Sequence, residues 1–393
     1  MEYRKLGRTG LDVGAISVGT EHLLRQPTET VTSVIRESIE RGVNYFDVVF
    51  SFPEYLDNLG QAFAGRRDRV LLTGHLGSTV KDNQYSRNRS AKTSEPFFRD
   101  VLARLHTDYV DILYLHNFNS PRDWETVARP KGQLEMALRL KAEGHARFIG
   151  ISGHYVEVIK RACESGHVDV VMFPINLLGH AGPARSELLD LCTAQGLGLV
   201  AMKPYGGGRL LNASGTQRVA GYQAGGESYK VKFPNAITPA QCLSYTLAQT
   251  GVSTALVGVR STAEVGAALQ ALEVSESERD FSGLLTAFGR YVEGECVYCN
   301  HCLPCPVLID IAEVNRLLDA AQVRLDSDLQ AAYDGLAAKA SACTECGACV
   351  QRCPFGVAVI SRMHAAAAQY EARRYGVPAF GAPHMEQTER SRP

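Results

Sequence analysis

One pattern recurs through roughly the first 275 residues: a short apolar run rich in β-branched residues, a turn, and an amphipathic helix. Uninterrupted apolar runs of this length suit parallel strands that are buried on both faces. The eight runs span residues 15–19, 45–49, 70–76, 110–116, 148–152, 168–174, 199–204 and 254–259. Eight strand–helix units predict an α/β fold of the (β/α)8 TIM barrel type.

The barrel prediction also indicates where a functional site would lie. In such barrels the active site is at the C-terminal ends of the strands. The polar residues that follow the predicted strands are Glu21, His22, Asp47, His75, His116, Asn117, Ser152, His154, Asn176, Lys203, Tyr205 and Arg260. Because histidine is frequent among them, we expect a polar active site at this rim. Segment 3–13 contains two glycines and is expected to form a hairpin that closes the opposite end.

Eight of the eleven cysteines form two compact runs near the C-terminus, and a proline directly follows each run. The runs are Cys296, Cys299, Cys302, Cys305 and Cys343, Cys346, Cys349, Cys353. Thiolates spaced three residues apart can converge on one face of an inorganic cube, while a more distant fourth cysteine reaches the other cube. This spacing is that of a two-cluster ferredoxin and predicts two [4Fe-4S] clusters.

Zinc and disulfides are the alternative interpretations of these cysteines. Zinc would be satisfied by two Cys-x-x-Cys pairs and requires neither a third cysteine at the same interval nor the proline. Disulfides require an oxidising compartment, whereas the N-terminal residues lack the apolar core of a signal peptide. We therefore expect a cytoplasmic protein. Cys163, Cys192 and Cys242 lie in apolar helical patterns and are expected to be buried thiols.

Composition argues against two classes of partner. The chain of 393 residues has 41 basic and 42 acidic residues, and its formal net charge is −1. No basic field is therefore present to hold nucleic acid or an anionic membrane surface. No apolar stretch is long enough to span a bilayer. A small-molecule substrate is the expected partner.

Several motifs, in order along the chain, resemble the aldo-keto reductase family. They are Arg-Lys-Leu-Gly-Arg-Thr-Gly-Leu at 4–11, Asn-Tyr-Phe-Asp at 44–47, Asp-Tyr-Val-Asp at 108–111, Ile-Gly-Ile-Ser at 149–152 and Met-Lys-Pro at 202–204. The tail resembles the iron–sulfur branch of that family, in which the barrel carries an added ferredoxin-type domain. We expect a barrel over 1–280, an α-helical ferredoxin-like domain over 281–370 and a tail over 371–393.

The resemblance also implies how the cysteines divide between the clusters. The insert between the two runs, at 308–340, has leucines and alanines at helical spacing and resembles the α-helical ferredoxins. In that arrangement the final cysteine of each run crosses over to the other cluster. One cluster would be held by Cys296, Cys299, Cys302 and Cys353, and the other by Cys343, Cys346, Cys349 and Cys305.

The family's catalysis rests on a tyrosine acid, a lysine that lowers its pKa, an aspartate paired to the lysine, and a histidine that orients the carbonyl. The resemblance assigns Asp47 and His116 to the last two roles. Phe52 stands at the tyrosine position, and Thr73-Gly74 stands where threonine-lysine is usual, with His75 next. We expect Tyr55 or His75 to substitute for the missing groups, with Tyr205 and His154 as further candidates. A changed reaction and a barrel without catalysis are the alternatives.

The resemblance further implies a binding site for NAD(P). Ser152 and Asn176 match the family's contacts to the nicotinamide, and the glycine-rich segment at 205–209 follows Lys203. The expected contacts to the cofactor phosphates are Gly207, Gly258, Arg260 and Ser261. Ser261 should begin a helix whose N-terminus favours anions. Alternatively, these glycines simply form barrel turns.

Two hypotheses of different class follow. In the first, the protein is an oxidoreductase that acts on a small carbonyl, polyol or sugar-like substrate, and the clusters relay electrons to or from a ferredoxin-like partner. In the second, His75, His116 or Glu21 supplies acid–base chemistry for a redox-neutral lyase or isomerase, and the clusters are structural. A catalytic metal held by the rim histidines with Glu21 and Asp47 is a third alternative.

Overall fold

The architecture is a closed barrel followed by a helical C-terminal region. A computed structural model describes residues 1–179, 183–211, 216–219, 229–232, 237–281, 284, 296, 302–323, 327–353 and 356–371. Its strands are β1 (Tyr3–Lys5), β2 (Asp12–Gly14), β3 (Ile16–Gly19), β4 (Tyr45–Asp47), β5 (Leu71–Leu76), β6 (Ser78–Lys81), β7 (Gln84–Arg87), β8 (Val110–Phe118), β9 (Ala146–Gly153), β10 (Val170–Pro174), β11 (Gly198–Met202), β12 (Thr216–Val219), β13 (Tyr229–Lys232) and β14 (Val252–Gly258).

Helices pack around the barrel and form the C-terminal region. They are α1 (Thr28–Glu40), α2 (Pro53–Phe63), α3 (Ala91–Arg104), α4 (Pro121–Ala128), α5 (Gln133–Ala142), α6 (Val156–Glu164), α7 (Pro183–Ala194), α8 (Pro239–Leu247), α9 (Thr262–Gln270), α10 (Glu276–Arg279), α11 (Ile311–Val323), α12 (Ser327–Asp334), α13 (Ala348–Arg352) and α14 (Val359–Tyr370). Proline and a Ser or Thr cap begin several of them, as at Ser120 before α4 and Thr238 before α8.

The eight-stranded barrel is confirmed. Its strands follow the order β3, β4, β5, β8, β9, β10, β11, β14, and every neighbouring pair is parallel, with β14 closing on β3. Each predicted apolar run falls on one barrel strand, because such a strand is covered by helices outside and by the barrel core inside. The interior includes the Tyr45 and Tyr114 phenols, whose oxygens lie 2.8 Å apart.

The described residues form three antiparallel strand pairs outside the barrel, β1–β2, β6–β7 and β12–β13, and only the first was expected. The predicted hairpin near the N-terminus is present as β1 paired with β2. The second, β6 paired with β7, directly follows β5 and lies before α3. Its base is tied to the barrel, since Asn88 N donates to Gly77 O at 2.9 Å and Ser51 Oγ donates to Ser78 O at 2.9 Å. Its strand β7 carries Tyr85, which contacts His116 of β8.

The C-terminal helices share one apolar core with the helices of one side of the barrel. Within them the rings of Tyr333 and Tyr370 stack at 4.3 Å with an interplanar angle of 6°. Each phenol is also held, because Tyr370 Oη donates to Leu317 O and Tyr333 Oη donates to Glu371 Oε1, both at 2.6 Å. In the described part of the chain, no helix is both long enough and apolar enough to cross a membrane.

Candidate active site and iron–sulfur region

Three neighbouring barrel strands bring together three of the predicted catalytic residues. Asp47 ends β4, His75 lies near the end of β5, and His116 lies near the end of β8. All three are almost fully buried, with exposures of 5%, 6% and 5%. Because β4, β5 and β8 are adjacent in the barrel, residues 28 and 41 positions apart in sequence become direct neighbours.

Asp47 is the fixed end of this group. Its Oδ1 accepts from the Thr73 hydroxyl at 2.7 Å and lies 2.8 Å from His75 Nε2. The main-chain N–H of Val48 donates to Thr73 Oγ1 at 3.1 Å, which orients that hydroxyl toward the carboxylate. Asp47 is therefore positioned to accept hydrogen bonds from Thr73 and His75.

From His75 the hydrogen bonds continue outward through His116 to a tyrosine. His75 Nδ1 lies 2.9 Å from His116 Nδ1, and His116 Nε2 lies 2.6 Å from Tyr85 Oη. Asn117 Nδ2 donates to the same phenol oxygen at 3.2 Å. Tyr85, His116, His75 and Asp47 thus form one unbroken line of hydrogen bonds, which we call the proton relay.

The second hairpin delivers Tyr85 to the relay. Its turn consists of Asp82 and Asn83, whose φ angles are both positive, at 50° and 55°. Two-residue turns of this kind match the twist of a hairpin and favour Asn and Asp. Sequence reasoning missed Tyr85, although the Asp-Asn pair between two alternating segments, 78–81 and 84–87, was the available signal.

Aromatic rings and buried phenols enclose the relay. The His75 ring stacks on Tyr114 at 5.1 Å, and Phe50 contacts Tyr85 edge to face at 5.5 Å. Burial raises the pKa of Tyr85, while its bond from Asn117 and the charges of Arg87 and Arg89 act in the opposite direction. Burial also raises the pKa of Tyr114 well above its usual value. Both phenols therefore keep their protons at neutral pH.

The residues near the two unmatched family positions are placed as follows. The group that pairs with Asp47 is His75, the residue after Gly74. Phe52 precedes α2 as its N-cap and contacts Phe50 at 5.9 Å. Tyr55 is buried, its hydroxyl shares a short hydrogen bond with Thr20, and burial raises its pKa. Tyr55 is thus bound to Thr20, whose own hydroxyl also reaches Asp47 O at 2.7 Å.

The residues expected at the nicotinamide lie at the same end of the barrel. Ser152 Oγ accepts from the main-chain N–H of Asn117 at 3.0 Å, and Asn176 Nδ2 donates to Lys203 O at 2.8 Å. Ser152 and Asn176 are buried. After Lys203, whose φ is 58°, Gly206, Gly207 and Gly208 have φ angles of 58°, 69° and 84°. Main chain without side chains at this rim fits the close approach of a phosphate.

The residues expected at the cofactor phosphates have further neighbours. A Cβ on Gly258 would come within 2.4 Å of the His22 ring, so this glycine makes room for that histidine. Ser261 is the N-cap of α9 and accepts from Glu264 N at 3.3 Å. Glu264 Oε2 in turn accepts from Arg260 N at 2.6 Å. A carboxylate therefore already lies at the helix N-terminus predicted to favour an anion.

Comparison with known proteins agrees with this geometry. The sequence profile of the aldo/keto reductase family matches residues 11–285. The chain belongs to the aldo/keto reductase family. A second profile, that of a 4Fe-4S dicluster domain, matches residues 294–357. The protein is thus an aldo/keto reductase with an iron–sulfur domain.

Relatives of this aldo/keto reductase include named sugar enzymes. It is 28% identical to L-galactose dehydrogenase of Arabidopsis thaliana over 306 residues, which cover 70% of this chain and 90% of that protein. It is 26% identical to L-glyceraldehyde 3-phosphate reductase of Escherichia coli O157:H7 over 225 residues, covering 53% and 63% of the two chains. The solved holo aldo-keto reductase of Bacillus halodurans aligns at 25% identity with a TM-score of 0.56, covering 71% and 94%.

In the iron–sulfur domain, five of the predicted ligand cysteines line one pocket: Cys302, Cys305, Cys343, Cys346 and Cys349. Burial, and then the nearness of Cys343 and Cys346, raises the pKa of Cys349. Over the described residues, no three His, Cys, Asp or Glu side chains are gathered closely enough to hold a metal ion. The chemistry of this lining, five thiols around one pocket, fits the ligands of an iron–sulfur cluster.

The remaining cysteines of the two runs are Cys296, Cys299 and Cys353. Cys296 is buried, Cys353 is partly buried, and Cys299 lies outside the described residues. Arg352, at the end of α13, donates to Pro304 O at 2.7 Å and to Cys302 O at 3.3 Å. These bonds fasten the second cysteine run to the first. Cys163, Cys192 and Cys242 are buried, as expected for structural thiols.

Proposed function

We propose that the barrel interconverts a hydroxyl and a carbonyl group on a small polyhydroxylated substrate. The observation that carries this proposal is the unbroken relay from Tyr85 through His116 and His75 to Asp47. Carbonyl reduction needs a proton donor at the substrate oxygen, and alcohol oxidation needs an acceptor at the same place. The names of the relatives from Arabidopsis thaliana and Escherichia coli support a sugar-like substrate.

The carboxylate at the inner end determines the direction of each hydrogen bond in the relay. Ionised Asp47 can only accept, so His75 Nε2 donates to it. In a neutral His75, Nδ1 then accepts from His116 Nδ1, and His116 Nε2 accepts from the Tyr85 hydroxyl. In this state the Tyr85 oxygen is ready to accept a proton from a substrate hydroxyl, as oxidation requires.

One added proton reverses the relay. When His75 carries a proton on both ring nitrogens, it forms an ion pair with Asp47 and its Nδ1 donates to His116. His116 Nε2 then donates to the Tyr85 oxygen, which leaves the phenol proton directed at the substrate. Tyr85 becomes the proton donor for reduction, and the positive charge stays on His75 beside Asp47. In this scheme Tyr85 takes the role of the family tyrosine, whose position Phe52 occupies, and His75 takes the role of the family lysine.

We further propose that the rim beside the relay holds NAD(P). The residues assigned to this site are Ser152, Asn176, Lys203, Gly207, Gly258, Arg260 and Ser261. A bound nicotinamide would supply or accept the hydride at the substrate carbon. The Ser152 hydroxyl holds the main chain of Asn117 beside His116, and the Asn176 amide holds the main chain of Lys203. Glycines with positive φ at 206–208 carry no side chain that would block the approach of a phosphate. Arg260 is exposed and able to pair with the additional phosphate of NADP, so we propose a site for either NAD or NADP.

Replacing Tyr85 tests the function. We expect Tyr85→Phe to lower kcat for carbonyl reduction by about 10²- to 10⁴-fold, because the relay loses its terminal acid. The Phe ring preserves the packing on Phe50, so the melting temperature should change little. Steady-state oxidation of reduced nicotinamide with short aldoses and ketoses, at several pH values, measures the effect.

Tyr55→Phe is the informative comparison, because both tyrosines are buried and Tyr55 was the acid suggested by sequence. We expect a much smaller loss in Tyr55→Phe, whose hydroxyl bonds to Thr20. A large loss in Tyr55→Phe together with normal turnover in Tyr85→Phe would refute the relay. Nicotinamide titration by fluorescence, performed on both variants, separates a chemical defect from a binding defect.

We also propose two [4Fe-4S] clusters in the iron–sulfur domain, which exchange electrons with a ferredoxin-like partner. Cys343, Cys346, Cys349 and Cys305 are assigned to one cluster, and all four line the described pocket. Cys296, Cys299, Cys302 and Cys353 are assigned to the other. Anaerobic purification with an iron and sulfide count tests this assignment, and about eight irons per chain are expected.

A redox-neutral reaction is the second candidate. It is favoured by the pairing of His75 with His116, since two imidazoles that share a proton can act as acid and base in an elimination or isomerisation. The two functions differ in what they consume. Turnover of a sugar or polyol in the absence of nicotinamide and dithionite would support this candidate over hydride transfer.

A further inference from the structure

The second hairpin contacts both the relay and the iron–sulfur domain. Gln84 and Tyr85 are successive residues of β7, so their side chains point to opposite faces of the hairpin. Tyr85 reaches His116 on one face. On the other face, Gln84 Nε2 donates to Cys305 O at 2.7 Å, and Cys305 N donates to Gln84 Oε1 at 3.2 Å. One side-chain amide therefore satisfies both main-chain groups of a predicted cluster ligand.

Cys305 belongs to the wall of the cysteine pocket. It is buried at 7% exposure and lines the pocket together with Cys343, Cys346 and Cys349. The carbonyl of Cys302, three residues earlier, accepts from Arg352. The segment to which Gln84 bonds is thus also bonded to Arg352 of the second cysteine run. Thiolate ligands order such segments when their metal binds, because binding and folding are coupled.

The base of the hairpin is anchored differently from its tip. Near the base, Arg87 and Arg89 donate to the main-chain oxygen of Asn117 at 3.0 and 2.7 Å, and Ser51 bonds to Ser78. These contacts belong to the barrel alone. At the tip, Asp82 and Asn83 are exposed, and the next residue, Gln84, bonds to Cys305. The tip is therefore bonded to the iron–sulfur domain through Gln84, whereas these contacts at the base are made to the barrel.

From these contacts we propose that Gln84 is a positioning residue that couples an ordered iron–sulfur loop to correct placement of Tyr85. This inference rests on the proposed function in naming Tyr85 as the acid and Cys305 as a cluster ligand. When the loop around Cys305 is held by its cluster, the Gln84 amide fixes β7, and the Tyr85 hydroxyl stays on His116. When the loop loosens, the tip of the hairpin is released and the outer end of the relay is lost.

The test compares Gln84→Ala with Lys81→Ala in the full-length holoprotein. Lys81 is the strand partner of Gln84 and is exposed, so it controls for a change at the same end of the hairpin. In Gln84→Ala we expect full iron content, faster amide hydrogen exchange over 78–88, and kcat lowered about 10- to 100-fold with an unchanged KM for nicotinamide. Lys81→Ala should match the wild type in all of these.

A second measurement does not depend on any substitution. In the wild type, partial removal of iron by an anaerobic chelator should speed exchange over 78–88, while the β1–β2 hairpin at the opposite end of the barrel stays protected. Unchanged hydrogen exchange over 78–88 in both experiments would overturn the proposal. Exchange that is accelerated as much over β1–β2 as over 78–88 would also overturn it, because removal of iron would then loosen the whole protein. If instead the proposed function is wrong, Tyr85→Phe will show normal turnover, a result that does not depend on the exchange experiments.

Discussion

At the level of single residues, Asp47 pairs with His75, whereas the family pairs this aspartate with a lysine, and the two partners differ in the hydrogen bonds they can make. A lysine ammonium has three donors and no acceptor, so it can polarise a neighbouring tyrosine but cannot accept a hydrogen bond. A neutral imidazole has one donor and one acceptor, so it can pass a proton from one neighbour to the next. His75 therefore extends the pair with Asp47 into a relay that reaches His116 and Tyr85.

Asp47 is the residue whose charge the relay requires. In Asp47→Asn, the ion pair that stabilises a protonated His75 is lost, so we expect kcat for reduction to fall about 10²- to 10⁴-fold. Steady-state kcat of the variant and the wild type measures this loss.

Thr73→Val provides the matched comparison for Asp47→Asn. It removes the other donor to Asp47 Oδ1 but leaves the carboxylate and its contact with His75 in place. We expect a clearly smaller loss of kcat in Thr73→Val. Equal losses in the two variants would show that the hydrogen-bonded frame, and not the charge of Asp47, supports catalysis.

At the scale of elements, the second hairpin and the start of α4 are held together by charge. Asp123 accepts from Arg87 at 3.3 Å and from Arg89 at 3.1 Å, and it also receives the main-chain N–H of Asn119 at 2.9 Å. Burial raises the pKa of Asp123, but the charges of Arg89 and Arg87 outweigh it, so the net pKa is lowered. These arginines also bind the main chain of Asn117, next to His116.

A lowered carboxyl pKa has a definite consequence for stability. The contribution of Asp123 is fully present above its unfolded pKa of 3.8 and is lost as the pH falls through the lower folded value. We expect Asp123→Asn to lower the free energy of unfolding by about 1.5–3 kcal/mol at pH 7. The difference from the wild type should shrink below about pH 4, as measured by urea unfolding across this range.

Asp57→Asn is the control for this experiment. Asp57 also pairs with an arginine, Arg104, at 2.8 Å, but its side chain is 56% exposed. A surface pair of this kind contributes about 0–1 kcal/mol, so little change is expected at either pH. Equal changes in the free energy of unfolding for Asp57→Asn and Asp123→Asn would show that burial of the ion pairs of Asp123 adds nothing to stability.

At the scale of the whole molecule, the iron–sulfur domain packs on the functional end of the barrel. The bonds between Gln84 and Cys305 are one connection. Glu313 in α11 is another: burial raises its pKa, but Arg316 and the charges of Arg260 and His22 produce a net lowering. Residues of the iron–sulfur domain therefore lie beside both the second hairpin and the proposed nicotinamide rim, at one end of the barrel.

Removing one cluster ligand tests this arrangement. We expect Cys346→Ala to reduce the iron content from about eight to about four per chain, because Cys346 is assigned to one cluster only. Circular dichroism should show an intact barrel, and electron exchange with reduced ferredoxin should be lost. Cys242→Ala, which changes a buried barrel thiol, should retain all of its iron. Full electron exchange in Cys346→Ala would indicate a purely structural cluster.

The barrel could be predicted from the amino-acid sequence alone, because eight buried strands require eight apolar runs. Polar residues follow those runs, so the position of Asp47, His75 and His116 at one rim could be predicted as well, and the spacing of the cysteines revealed their two runs. The choice of Tyr85 as the phenol that completes the relay, and the contact of Gln84 with Cys305, became visible only in the folded chain. Those contacts join residues 31 and 221 positions apart through a hairpin, and no periodicity encodes which side chains such a hairpin brings together.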